Sequence, residues 1–199
     1  MKQYIIKKKT AELCWDNIPQ LSIEEMLRPT EADVSAAAQF CYDDEAIYVR
    51  LMAKEKEIRA ELTGALDPIC EDSCLEFFFC PTENDKHYFN IECNLNGAIY
   101  LGFATNVHDL IRLVPEEPEI IPVAKRTHDG WKVEYKVPYS FIRRFVPQFS
   151  VFSGKKMRAN AYKCGDETII PHCLCWQKVP QLTEASFHNP DAFGEMIFE

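Results

Sequence analysis

Between Cys74 and Leu95 the chain alternates so regularly that few backbone arrangements can accommodate it. In Cys74–Cys80, Leu75, Phe77 and Phe79 fall on one side and Glu76 on the other. After the Pro81–Asp85 turn, Phe89, Ile91, Cys93 and Leu95 alternate with Tyr88, Asn90, Glu92 and Asn94. Aromatic and β-branched residues at period two, interrupted by Pro and Asn/Asp, predict two antiparallel strands joined by a hairpin. The second face of these strands carries carboxylates, carboxamides and a phenol, groups suited to hydroxyl-rich ligands.

The same pattern recurs along the chain. Ser35–Tyr42 and Ile47–Met52 read as strands around an Asp43–Glu45 turn, and Asn96-Gly97 is a hairpin-turn signal leading into Ala98–Phe103. Ile120–Thr127, Trp131–Val137, Lys156–Cys164 and a last strand ending at Phe198 follow. Pro138 suits the first turn of one helix over Tyr139–Phe145, and a shorter helical candidate surrounds Ile23–Leu27. These elements predict an all-β fold, an antiparallel β-sandwich of jelly-roll or immunoglobulin-like type with one short helix. Residues 1–33 read as an N-terminal arm packed on a sandwich of residues 34–199, in one domain overall.

A formal net charge of −9, with no basic cluster beyond Lys7-Lys8-Lys9, argues against a nucleic-acid partner. The first residues lack the apolar run of a signal peptide and no stretch is long enough to span a bilayer, so a soluble, cytoplasmic protein without membrane partner is expected. Nine cysteines, an odd number, fit a reducing compartment and packing roles.

If the strands share one sheet, Arg50, Glu76, Tyr88, Asn90, Glu92, Arg158, Asn160 and Tyr162 form one polar face. The expected ligand-binding set is Glu76, Tyr88, Asn90, Arg158, Asn160 and Tyr162, with Trp176 as an exposed aromatic plate for the apolar face of a sugar. Trp131 reads as core and Trp15 as a structural plug. Glu76 paired with Asp72 or Glu92 offers the alternative of glycoside hydrolysis, and a protein-interaction surface is a third reading. The catalytic motifs of hydrolases, nucleotide-binding proteins and zinc proteases are absent. No cofactor is required, while Glu71-Asp72 and Asp166-Glu167 could supply oxygens to a structural Ca²⁺.

These pieces together resemble the family 9-like carbohydrate-binding modules, which are related to DOMON-type sandwiches. The resemblance is carried by Tyr42–Leu51, Glu71–Phe79 with Pro81, and Tyr88–Asn94 with Gly97. Further on come Gly130–Glu134 with Pro138, Arg158–Cys164, and Phe187-His-Asn-Pro190 with Phe193-Gly194. It implies a jelly-roll-like sandwich that binds sugars non-catalytically between two aromatic plates, often at chain ends and outside the cytoplasm, with structural Ca²⁺ in some members. By position it makes Glu76 a hydroxyl acceptor, places Arg158 and Asn160 on a contact strand, and makes Trp176 one plate. Ile69-Cys70 stands where the other Trp is expected.

Overall fold

A computed structural model describes residues 1–9, 12–180 and 187–199. The strands are β1 (Gln3–Lys8), β2 (Gln20–Ile23), β3 (Glu25–Met26), β4 (Ser35–Tyr42), β5 (Ala46–Lys54), β6 (Cys74–Cys80) and β7 (Tyr88–Asn94). They continue with β8 (Ile99–Ala104), β9 (Ile111–Arg112), β10 (Val123–Arg126), β11 (Gly130–Pro138), β12 (Lys156–Gly165), β13 (His172–Cys175) and β14 (Gly194–Phe198). The one α-helix among the described residues, α1, spans Tyr139–Phe145 as expected, entered through Pro138. Ile23–Leu27, read as a helical candidate, instead carries the end of β2 and the short β3, which pair with β4 and β13.

The strands run in the order β10-β11-β5-β4-β1-β14-β12-β6-β7-β8-β9. This curled arrangement makes two facing layers, joined by β1. Its residues Gln3–Ile6 pair with β14 and Lys7–Lys8 with β4, in both cases parallel. The remaining pairings are antiparallel, so the expected all-β fold with one short helix is found, with a mixed rather than purely antiparallel sheet. The physical reason is the N-terminal segment: it enters between two existing strands and aligns with both.

Inward-facing residues at period two fill the space between the layers. Leu75, Phe77, Phe79, Phe89 and Ile91 meet Ala38, Phe40, Val49, Leu51, Trp131, Val133 and Val137 in one cluster. Phe40 and Phe77 lie 4.6 Å apart across the layers, an aromatic contact that alanines at neighbouring inward positions leave room for. α1 closes one end by setting Phe141 and Phe145 against Phe89, at 5.2 and 5.3 Å.

The inward stripe of β12 runs Met157, Ala159, Ala161 and then Lys163, which is fully buried. Its ammonium sits 3.2 Å from Glu55, donates to the Cys164 carbonyl at 2.8 Å and contacts His172 Nε2 at 2.7 Å. Glu55 also accepts from Ser73 Oγ at 2.8 Å and Trp131 Nε1 at 3.1 Å. A charge pair without water around it survives only when its remaining hydrogen-bonding capacity is filled, and here it is. The network ties the end of β5 to β6, β11, β12 and β13. Lys163→Met strands the Glu55 carboxylate and is expected to cost about 3–5 kcal/mol in urea unfolding. A loss under about 1 kcal/mol would show that the pair does not hold the layers together.

Candidate functional site

The outward face of β6, β7 and β12 is not a solvated surface. Every residue of Cys74–Cys80 and Tyr88–Asn94 is buried. A second apolar cluster covers this face, with Leu27, Ile69, Val179 and Phe193 brought over it by loops, and Leu62, Leu110 and Phe187 packed on its margin. Pairing register fixes what lies beneath. Tyr162, Glu76, Glu92 and Tyr100 stand side by side across β12, β6, β7 and β8. The adjacent row is Asn160, Phe78, Asn90 and Gly102. A Cβ at Gly102 would come within 2.8 Å of the Leu110 Cδ1 methyl, so the glycine lets Leu110 lie against the strand beside Asn90.

Most of the expected site residues are committed to holding the cover. Arg158 donates to the carbonyls of Pro190 at 3.0 Å and Asp85 at 2.7 Å. The Asn160 carboxamide donates to the Gln177 carbonyl at 2.8 Å and accepts from the Gln177 N–H at 2.9 Å. Tyr162 donates to the Phe187 carbonyl at 3.2 Å while its ring stacks on Phe187 at 4.6 Å. The Tyr88 hydroxyl pairs with His188 Nδ1 at 2.6 Å. These four side chains hold the loops that cover the face.

Glu76 and Asn90 differ from them. Both Glu76 carboxylate oxygens, both Asn90 amide atoms and Glu92 Oε2 are buried without a hydrogen-bond partner among the described residues. Glu76 is 1%, Asn90 0% and Glu92 6% exposed. Burial, and then the charge of Glu92, pushes the Glu76 carboxyl far above the ordinary range. Glu92 is raised by burial to about 7, with the Asn90 amide and Arg112 pulling the other way. The Arg112 guanidinium lies over the Tyr100 ring at 3.2 Å, at the β8–β9 side of the floor. An unfilled buried polar atom costs about 1–3 kcal/mol, so this floor is suited to a partner that brings its own donors and acceptors.

Two expectations fail. Arg50 does not join this face, because β5 lies in the other layer; there it pairs with Glu134 and lies over Trp15 at 4.6 Å. Trp176 is not an exposed plate. It is 4% exposed, belongs to the inter-layer core, and lies so close to Gly194 that a Cβ there would come within 2.7 Å of the indole. The clamp of Asn160 on Gln177 turns the preceding side chain inward.

Asp72, weighed as a catalytic partner and Ca²⁺ ligand, is fully buried and serves the neighbouring loop. It accepts from Arg59, from the backbone N–H groups of Glu61 and Leu62 at 3.0 and 2.9 Å, and from Asn94 at 2.8 Å. Asp166 is bridged to Arg28. All nine cysteines are free, and seven of them are buried.

Fold and floor together define a ligand-binding β-sandwich. The profile of carbohydrate-binding family 9 matches residues 8–198, and the chain belongs to that family. A candidate carbohydrate-binding protein from Bacteroides uniformis ATCC 8492 superposes with a TM-score of 0.82 at 24% identity, over 100% of this chain and 99% of the other. Two structures of a family 9 carbohydrate-binding module from Caldicellulosiruptor kristjanssonii are also similar, each at 13% identity and over 100% of this chain. The complex with cellotriose has a TM-score of 0.69 with 94% of that chain covered; the complex with glucose has 0.65 and 96%. No curated protein matches the chain.

Placement of the indole in the core carries an expectation. Trp176→Ala is expected to lower stability by about 3–5 kcal/mol in denaturant unfolding, as large-to-small changes in a packed core do. An unfolding midpoint close to wild type would return Trp176 to the surface.

Proposed function

We propose that this chain binds carbohydrate without altering it chemically, reading sugar hydroxyls with Glu76, Asn90 and Glu92. The observation that carries the proposal is the set of five buried oxygen and nitrogen atoms on these side chains that lack a partner among the described residues. A vicinal diol matches such a floor, because each hydroxyl both donates and accepts, and carboxylates and carboxamides span two oxygens at fixed spacing. Tyr88, Arg158, Asn160 and Tyr162 act indirectly, by holding the loops that shape the pocket. Tyr100, half-buried beneath Arg112, and Phe187, stacked on Tyr162, are the aromatic surfaces available to a sugar's C–H face; Trp176 is not. The family and the cellotriose and glucose complexes of similar modules support a gluco-configured ligand.

Calorimetry with glucose and cellotriose in chelator-treated buffer tests the reading. Asn90→Ala removes groups that make no hydrogen bond within the described residues, so affinity is expected to fall at least about tenfold while thermal stability holds or rises. Asn160→Ala, which breaks a loop clamp, is expected to lose stability instead. Absence of heat with either sugar at millimolar concentration, or unchanged affinity in Asn90→Ala, would reject the proposal. Release of reducing sugar from cellotriose by the wild type, lost in Glu76→Gln, would replace binding with hydrolysis.

A further inference from the structure

The floor has one more neighbour. Cys74 stands two residues before Glu76 on the same face of β6, and one donor atom each from Cys74, Glu76 and Glu92 lies within 4.8 Å of the others. All three are buried, and among the described residues this is the one such grouping of cysteine, histidine and acidic side chains. Two carboxyl groups directly opposite one another across a strand pair, with no hydrogen-bonding partner among the described residues on three of their oxygens, form a buried acidic pair. Arg112, the nearest guanidinium, is spread over Tyr100 and donates to the Ala65 carbonyl at 2.7 Å.

We propose that Cys74, Glu76 and Glu92 bind a divalent cation of borderline hardness, of the zinc type. Tetrahedral ligands on such an ion sit about 2.0–2.3 Å from the metal, hence roughly 3.3–3.8 Å from one another. Side-chain rotation of about an ångström per group closes the present spacing to that. A second observation points the same way. Asn90 is fully buried beside Glu92, whose carboxyl its amide favours in the charged form, and neither amide atom makes a well-formed hydrogen bond among the described residues. Its carbonyl oxygen is a ready donor to the fourth position, which a water or a sugar hydroxyl could otherwise take.

The donor set selects the metal. Ca²⁺ takes about 6–8 oxygens, and a thiolate is a poor ligand for it; a mixed sulfur and oxygen set favours zinc over calcium. A thiol keeps its proton at neutral pH, and only the thiolate ligates a metal. Binding therefore displaces the thiol proton, and any proton carried by the carboxyl pair, to solvent, and affinity rises with pH.

The inference rests on the same floor as the carbohydrate reading, and the two are tested apart. Protein stripped with chelator is titrated with ZnCl₂ while the melting temperature and bound metal are followed, and with CoCl₂ while the thiolate-to-cobalt charge-transfer absorption is recorded. The expected result is one ion per chain, a raised melting temperature, and an absorption retained in Cys14→Ser but lost in Cys74→Ser. Glu92→Gln, which keeps its shape, is expected to weaken Zn²⁺ at least about tenfold, and stands in should Cys74→Ser fail to fold. Absence of a melting shift and of the band in wild type, a band indifferent to Cys74→Ser, or Glu92→Gln with wild-type affinity would overturn it. Glucose calorimetry on the stripped protein reports the carbohydrate reading independently: heat without metal leaves that reading standing whatever the zinc result.

Discussion

Glu76 and Glu92 face each other because β6 and β7 are registered so that Cα partners run Cys74–Asn94 through Phe79–Phe89. A one-residue slip of either strand would turn its own carboxylate into the inter-layer core and put its apolar stripe outside. The aromatic stripe therefore fixes the polar floor. Burial of Leu75, Phe77, Phe79, Phe89 and Ile91 contributes about 1.5–3 kcal/mol per side chain. That gain is what sustains a row of unpaired acids on the reverse of the same strands. The packed core and the proposed ligand floor occupy opposite faces of one hairpin.

Around that hairpin the polar groups divide by what they bond. Arg158, Asn160, Tyr162 and Asp72 spend their capacity mainly on backbone groups of the loops that form the cover, and Tyr88 on His188. Lys163 and Glu55 spend theirs on one another and on groups from both layers, on the far side of the same sheet. Among the described residues, only the Glu76, Asn90 and Glu92 group combines deep burial with several uncommitted polar atoms. Family membership and that arrangement support each other, since a carbohydrate supplies neutral donors and acceptors in quantity.

Period-two alternation made most of the longer strands legible in the sequence and put Glu76 and Asn90 on the face they occupy, while Pro138 marked the helix. What it could not convey is long-range covering. Leu27, Ile69, Phe187 and Phe193 are distant in sequence and gather over the floor only through tertiary contacts. Arg158 and Asn160 read as ligand groups because their carbonyl partners lie in loops, where residue type gives no sign of them. Trp176 sits after a strand end and resembles an exposed loop residue until the Asn160 clamp turns it inward. Lys163 interrupts an apolar stripe, and that interruption was the available signal for the buried Glu55 pair. The parallel pairing of β1 with two strands left no local mark either, since alternation is blind to strand direction.

Carboxyl ¹³C NMR of the glutamates, recorded with and without cellotriose, addresses the account most directly. Ligand on the floor places hydroxyls against Glu76 and Glu92, and the predicted result is large shifts at these two carboxyls with little change at Glu55. Shifts confined to carboxyls of the open groove lined by Glu24 and Asp129, with Glu76 and Glu92 silent, would contradict it.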